Sequence, residues 1–278
     1  VATSGTADVE MDGSGGLTTI TTASATATAA GGDATMTIDA DSGLTVTAVT
    51  TSVTTGDASM QIDVDGGLAT IAAATTTATL TGDASMLIDA GTGLTVVGGT
   101  GLVTNANSGD GNMTVDVAGG ATAINIAATN VTTGNGTMDI DGVGGTVTVT
   151  SAVATAIGGA AGDVDINISA TSATLTVVTA TSSGTDGDIT LTTEGGGNIV
   201  IDTLDATDDR VTLDSTGNVT EFDVDAAIDI TARELVAVTD TGFGEAVTVG
   251  AEAVETEVED VEGAGGTGVF NLTNSGDL

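Results

Sequence analysis

Carboxylates are the side chains of this sequence that could do chemistry, and many of them recur at one place in a repeat. An Asp closes each of several short alternating stretches that begin with Gly-Asp or Gly-Asn, and in three of them a second Asp stands two residues away. Carboxylate oxygens beside Gly-rich turns suit Ca²⁺, so the pattern makes Ca²⁺ the candidate cation. The candidate ligands are Asp39, Asp41, Asp63, Asp65, Asp89, Asp116, Asp139 and Asp141.

Turn capping is the alternative role for these carboxylates. If the repeats stack, neighbouring Asp side chains repel each other by roughly 1 kcal/mol even in water. Bridging cations would offset that repulsion, and so would hydrogen bonds from the Gly-rich turn that follows. EF-hand and nonapeptide calcium motifs are absent. A second column follows Gly at a corner, and its exchange of Asp for Asn favours backbone capping. That column is Asp33, Asp57, Asp83, Asp110 and Asn135.

Composition excludes most other chemistry. The 278 residues carry a net charge of −37 and contain no His or Cys, and Arg210 and Arg233 are the only cations. Most nucleophilic, acid–base and zinc chemistry needs the missing side chains. Nucleic acid binding needs clustered Lys and Arg. Paired carboxylates could hydrolyse glycosides, but the chain has no Trp or Tyr to form a sugar platform. The sequence therefore predicts a protein that is not an enzyme and binds no nucleic acid.

The elements that position the carboxylates follow from an internal repeat. The leading Asp or Asn recurs every 24 to 28 residues, beginning at Asp8. All six Met residues, from Met11 to Met138, stand three positions after it, and Ile166 and Leu191 take the same place in the next two copies. A residue type confined to one phase of a repeat indicates a buried inward column, and Met is an adaptable apolar filler.

Alternation of period two within each repeat predicts strands rather than helices. Leu44-Thr45-Val46 and similar runs place apolar side chains on one side and Thr, Asp and Ser on the other. Three short strands and Gly-rich corners account for about 25 residues. The fold class is therefore all-β, a right-handed parallel β-helix (β-solenoid) of roughly 25 residues per coil. No apolar run of about 18 residues is present to span a bilayer.

Two regions are predicted within this solenoid. Residues 1–183 form regular coils with the Met column, and residues 184–278 form less regular coils that continue into further repeats. The second region holds all three Phe residues and both Arg residues, which indicates a coil of different cross-section. Its segment 254–261 has a helix-like spacing of about four, but its Val content and flanking Gly favour a strand.

The second region also resembles a known family. Gly-Asn-Ile-Val-Ile-Asp-Thr-Leu at 197–204, Val-Thr-Leu-Asp-Ser-Thr-Gly-Asn-Val at 211–219 and Ile-Asp-Ile-Thr-Ala at 228–232 are similar to repeats of giant secreted bacterial surface proteins, the filamentous-haemagglutinin-like adhesins. The resemblance covers about residues 185–278. It implies a right-handed parallel β-helix at the cell surface that acts in adhesion, in biofilm or in a surface layer.

Three functions are compatible with the sequence. The first is a structural or adhesive segment of a large extracellular surface protein or filament. The second is a calcium-dependent surface-layer or adhesin module, and the third is a polysaccharide-active β-helix enzyme. The expected partners are copies of the chain or further repeats, stacked end to end, and surface glycans or other cells. End-to-end stacking is expected because Gly276-Asp277 restarts the corner that opens each coil.

Overall fold

The computed structural model describes residues 5–157, 162–223, 227–244 and 253–276, which form an all-β solenoid of about ten turns. A turn takes about 25 residues, and the described residues contain strands and no helix. The strands are β1 (Ala7–Gly13), β2 (Thr18–Ala27), β3 (Ala34–Ala40), β4 (Leu44–Thr55), β5 (Ala58–Val64), β6 (Ala69–Thr81), β7 (Ala84–Ala90), β8 (Leu94–Ser108), β9 (Gly111–Val117), β10 (Thr122–Thr133), β11 (Gly136–Val143), β12 (Val147–Ala156), β13 (Val164–Thr171), β14 (Leu175–Ser183), β15 (Ile189–Glu194), β16 (Ile199–Ser215), β17 (Asn218–Glu221), β18 (Ile230–Thr239), β19 (Gly242–Phe243), β20 (Val254–Ala264) and β21 (Leu272–Asn274).

Every strand pairing is parallel and joins one coil to the next. Short strands pair with short strands, as β3 does with β5, and long strands pair with long strands, as β4 does with β6. The parallel β-solenoid predicted from the repeat is therefore confirmed, and its handedness stays a prediction. Each interior strand donates backbone hydrogen bonds to its neighbours, which explains why a chain without Pro suits this fold.

Each regular coil has three straight segments, although hydrogen bonding divides it into two strands. Burial along β4 alternates until Thr47 and Ala48, where the alternation slips and the strand turns a corner. The short strand therefore forms the first face of the solenoid. The first arm of the long strand, such as 44–47, forms the second face, and the second arm, such as 49–55, forms the third.

The Met column lies in the core, as predicted. Met36, Met60, Met86, Met113 and Met138 stand opposite one another on the first face, and all five are buried. Small residues precede each Met, and they line the neighbouring inward column: Ala34, Ala58, Ala84, Gly111 and Gly136. A flexible thioether beside Ala or Gly fills a narrow core without strain.

At each end of the column, the residue that takes the place lies two positions from the predicted residue in sequence. Met11 pairs with Ile38, while Val9 pairs with Met36. Ile189, not Leu191, takes the place beyond Ile166. A shift of two residues keeps the same side chains inward, so burial allows either register. The predicted places of Met11 and Leu191 were wrong for this reason.

Glycine forms the corner between the third face and the first face in the regular coils. Gly56, Gly82 and Gly134 have φ angles of 118°, 108° and 127°. A Cβ atom at Gly82 would lie 1.9 Å from the carbonyl oxygen of Gly56 in the coil below. Both the backbone conformation and the close stacking therefore require glycine.

The coils after residue 183 distribute their strands differently. β16 runs through the second and third faces and on into the first face of the next coil. Its corner contains Asp208, a non-glycine residue with φ of 71°. Segment 254–261 lies in β20, so the preference for a strand over a helix is confirmed. The division predicted at residue 183 stays a prediction, because strand pairing continues through both regions.

Candidate functional site

The five predicted Asp residues that close the repeat form one column on the outer side of the first face. Asp39 pairs with Asp63, and the register continues through Asp89 and Asp116 to Asp141. Asp12 adds a sixth member below Asp39. Adjacent strands lie about 4.8 Å apart, so the carboxylates are close neighbours. The column ends where the hydroxyl of Ser169 donates a hydrogen bond to Oδ1 of Asp141.

Burial and like charges disturb the titration of two members of this column. Burial, and then the carboxylates of Asp89, Asp65 and Asp39, raise the pKa of Asp63. Burial, and then the carboxylates of Asp139, Asp141 and Asp89, raise the pKa of Asp116. Asp63 and Asp116 therefore favour protons or bound cations more than isolated carboxylates do.

The remaining three candidates lie beside the column. Asp139 is on the same outer face as Asp141, and burial followed by the charge of Asp141 raises its pKa. Asp41 and Asp65 follow the ends of β3 and β5, where they are exposed. The Asp65 N–H donates to the carbonyl oxygen of Ala40 at 3.2 Å. The eight candidates thus share one side of the solenoid, and their role as calcium ligands stays a prediction.

The corner column performs the backbone capping expected of it. Oδ1 of Asp33 accepts a hydrogen bond from the N–H of Asp57 at 3.0 Å, and Asp57 does the same for Asp83. The same bond then caps Asp110, Asn135 and Asp163 in succession. Asn135 replaces a carboxylate without breaking the series, because a neutral amide oxygen accepts the same bond.

The series of caps also shows where the register shifts. Asp188 donates its N–H to Oδ1 of Asp165, two residues beyond Asp163. Arg210 then donates its N–H to Oδ1 of Asp188 at 3.1 Å. Arg210 takes the next cap position, but it has no carboxylate to continue the series. Its guanidinium forms an ion pair with Glu234 at 2.8 Å.

A third group of carboxylates was not foreseen from the sequence. Oxygens of Glu221, Asp229 and Glu255 lie within 4.8 Å of one another, and within the described parts of the chain this is the one group of three that does so. Asp229 is only 2% exposed. Its N–H donates to the carbonyl oxygen of Glu255, and its Oδ2 accepts the N–H of Glu255, both at 2.8 Å.

Burial makes this carboxylate triad (Glu221, Asp229 and Glu255) a place that holds a proton near neutral pH. The pKa of Asp229 is raised to about 7, first by burial and then by the charges of Glu221 and Glu255, although the hydrogen bond from the Glu255 N–H lowers it. Oε2 of Glu255 is also buried and has no hydrogen-bond partner. The triad can therefore share a proton, or its three carboxylates could hold a divalent cation.

One signal in the sequence could have revealed the triad. Asp229 and Glu255 are 26 residues apart, which is one coil, and their backbones pair directly. That spacing does not stand out in the sequence, because the repeat of the regular coils loosens after residue 183. Glu221 ends β17, eight residues before Asp229 in sequence, so no repeat spacing links it to the other two residues.

Comparisons with known proteins add no relative. No known protein family matches the chain, and neither a curated protein nor a solved structure shows significant similarity to it. Across the described ranges there is no helix of the length and apolarity that crossing a membrane requires.

Proposed function

We propose that this chain is a structural or adhesive segment of a large extracellular surface protein or filament. The observation that carries the proposal is the unbroken parallel pairing of coils from β1 to β21, with one set of inward columns through the regular part. Such a rod transmits load and sets distance through backbone hydrogen bonds that run along its axis. Its regular repeat suits a part that keeps other groups at a fixed distance and presents them at a surface.

The first coil supports the proposed end-to-end partners. Within the described residues, β1 and β2 pair on one side only, with β3 and β4. Unpaired N–H and C=O groups on a strand edge are a template for another strand. Further coils of the same protein or a second copy would complete that edge with the same parallel register.

The filamentous-haemagglutinin-like resemblance of residues 185–278 supports placement at the cell surface. The high negative charge is compatible with a saline or calcium-rich exterior and keeps a strand-rich chain from aggregating. Surface glycans or other cells are the proposed targets of adhesion, since a repetitive surface presents many copies of a weak site.

Surface labelling tests this proposal. Antibodies against the purified 278-residue chain should bind intact producing cells, and brief protease treatment of those cells should remove the signal. Beads coated with the chain should adhere to such cells more than beads coated with albumin. Labelling that requires lysis of the cells would contradict the surface location, and equal adhesion of both beads would contradict the adhesive role.

A calcium-dependent module is the second candidate, and the in-register Asp column from Asp12 to Asp141 favours it. If the column binds Ca²⁺, a chelator should lower the melting temperature at low salt, and Na⁺ of equal ionic strength should not restore it. Replacement of Asp63 and Asp89 by Asn should abolish the chelator effect. No chelator effect would leave the column without a specific cation.

A polysaccharide-active enzyme is the weakest of the three functions. Hydrolysis of a glycoside needs two carboxylates on either side of an accessible sugar bond. In the carboxylate triad, Asp229 is 2% exposed, so its oxygens do not face a bound chain. We therefore propose a role without catalysis.

A further inference from the structure

The charges of the regular coils are confined to one side of the solenoid. The long strands β2, β4, β6, β8, β10, β12 and β14 contain no Asp, Glu, Lys or Arg. The short strands of the same coils each carry at least one Asp. A chain with 39 acidic residues and two basic ones thus leaves the second and third faces neutral over seven coils.

The outward residues of the third face are also uniform in type. One outward column on it consists of hydroxyl and amide side chains, held in register by strand pairing. Nδ2 of Asn130 donates to Oδ1 of Asn105 at 3.0 Å, and Nδ2 of Asn105 donates to Oγ1 of Thr77 at 3.4 Å. The column comprises Thr26, Ser52, Thr77, Asn105, Asn130, Thr155 and Ser183.

Apolar side chains stand exposed at one edge of this face. Leu80 is 52% exposed near the end of β6, and Ile157 is 73% exposed directly after β12. A shallow depression of about 350 Å³ lies across the coils between them, and Asn105, Asn130 and Ile157 are among its lining residues. Exposed large apolar residues beside a concave neutral surface are typical of a contact with another protein.

The size of the neutral third face suits such a contact. Seven coils at about 4.8 Å and arms of about six residues at about 3.3 Å give roughly 30 Å by roughly 20 Å, or about 600 Å² per copy. Two such surfaces bury about 1,200 Å² together, which reaches the lower range of specific interfaces.

We infer that a second copy of this chain packs face to face on the neutral third face. Charge excludes the first face, and the depression beside Ile157 favours the third face over the equally neutral second face. Two copies that approach through their Asp-bearing first faces bring like charges together, whereas the outward side chains of the third faces carry no charge. Two flat sheets can pack about 10 Å apart with their outward side chains interdigitated. The contact is lateral, so it goes beyond the end-to-end stacking proposed above and does not depend on it.

Salt concentration gives the contact a distinctive signature. Repulsion between two highly acidic chains acts over about 30 Å at about 0.01 M salt but over about 3 Å at about 1 M. The dimer should therefore be absent at low salt and form as NaCl is added, with no requirement for Ca²⁺. An interface made by cation bridges between the Asp columns would respond to a chelator instead.

Sedimentation of the whole chain across that range of NaCl, with a chelator present, tests the inference. Thr77→Asp combined with Thr155→Asp places charge on the neutral face and should weaken the dimer at least about tenfold. Thr37→Asp combined with Thr114→Asp is the matched control, because it adds the same charge at half-buried outward positions of the first face. The control should dimerise as the unmodified chain does.

Two further variants keep the test decisive if the double variants fold poorly. Ile157→Asp changes a side chain that is 73% exposed, outside the core, and should also weaken the dimer. The chain has no Cys, so Asn130→Cys should form a disulfide-linked dimer at high salt, and Thr37→Cys should not. A monomer at every salt concentration would overturn the inference, as would equal loss of dimer in the two Asp pairs. Dimer loss caused only by changes in β1, which lies on the first face at the open end, would assign association to the ends and also overturn it.

Discussion

Two parts of the solenoid bury polar side chains in different ways. In the regular coils, the hydroxyls of Thr51, Thr76, Thr104 and Thr129 are buried in one inward column of the third face and have no hydrogen-bond partner. In the coils after residue 183, the buried hydroxyls are bonded. Oγ1 of Thr193 donates to the carbonyl oxygen of Gly197 at 2.8 Å, and the N–H of Gly217 donates to Oγ of Ser215 at 3.1 Å.

Carboxylates and aromatic rings show the same contrast. The Asp column of the regular coils points outward, whereas Asp209 and Asp229 are buried in the later coils. Phe243 and Phe270 stack there with ring centroids 4.6 Å apart. The regular coils are therefore stabilised by repetition of one cross-section, in which a β-branched Thr fits the strand even without a partner for its hydroxyl. The later coils depend on individual pairs.

The Met column should give the largest effect in the regular coils. Met113→Ala removes a fully buried side chain between two other Met residues, so we expect the free energy of unfolding to fall by about 2–5 kcal/mol. Met11→Ala is the matched control, because Met11 is only partly buried and lies outside the column. Urea unfolding followed by circular dichroism measures both. Equal losses would mean that stacking within the column does not stabilise the coils.

The carboxylate triad should make the later coils sensitive to pH. The pKa of Asp229 is about 7 in the folded chain, whereas that of an unfolded Asp is about 3.9. Between these values the folded state binds more protons than the unfolded state, so the free energy of unfolding falls as pH rises. We expect Asp229→Asn to raise the melting temperature at about pH 8 and to flatten its dependence on pH between about 4 and about 7.

Asp260→Asn is the control for the triad, since Asp260 is an exposed residue of the same coils. Melting curves are recorded with a chelator present, so that a bound cation does not replace the proton. If the melting temperature of the Asp229→Asn variant still falls with rising pH as steeply as that of the unmodified chain, other carboxylates cause the pH dependence.

The corner column should give a smaller and more local effect. Asp83→Ala removes the oxygen that accepts the N–H of Asp110, so we expect a loss of about 0.5–2 kcal/mol, as for other lost caps. Asp83→Asn should cost less, because Asn135 already makes this bond in the next coil but one. Urea unfolding compares the two. If Asp83→Asn lowers the free energy of unfolding as much as Asp83→Ala does, charge rather than capping matters at this corner.

The regular coils could be predicted from sequence because their chemistry repeats. Five Met residues in one phase predicted the inward column and the register of the outward Asp residues. The predicted register is wrong at Met11 and Leu191, where the repeat is degenerate, because a shift of two residues leaves the same side chains inward. Alternation alone does not distinguish these two registers.

The carboxylate triad could not be predicted in the same way. Its three residues come from β17, from the residue before β18 and from β20. Their proximity depends on where the chain turns in coils whose corners no longer carry Gly-Asp. The unpaired Thr column escaped prediction for a different reason: alternation allows Thr on either side of a strand, and Thr76 is buried while Thr77 beside it points outward.

The smallest effect should come from that Thr column, and its sign is informative. A buried hydroxyl without a partner costs free energy that an apolar side chain of similar shape does not. We therefore expect Thr76→Val to raise the free energy of unfolding by up to about 1 kcal/mol, and Thr77→Val, at the neighbouring outward position, to change it little. In the later coils Ser215→Ala should lower it, because the buried Ser215 hydroxyl is bonded. If Thr76→Val instead destabilises the chain, the column holds bonded hydroxyls, for example to buried water, and the contrast between the two parts disappears.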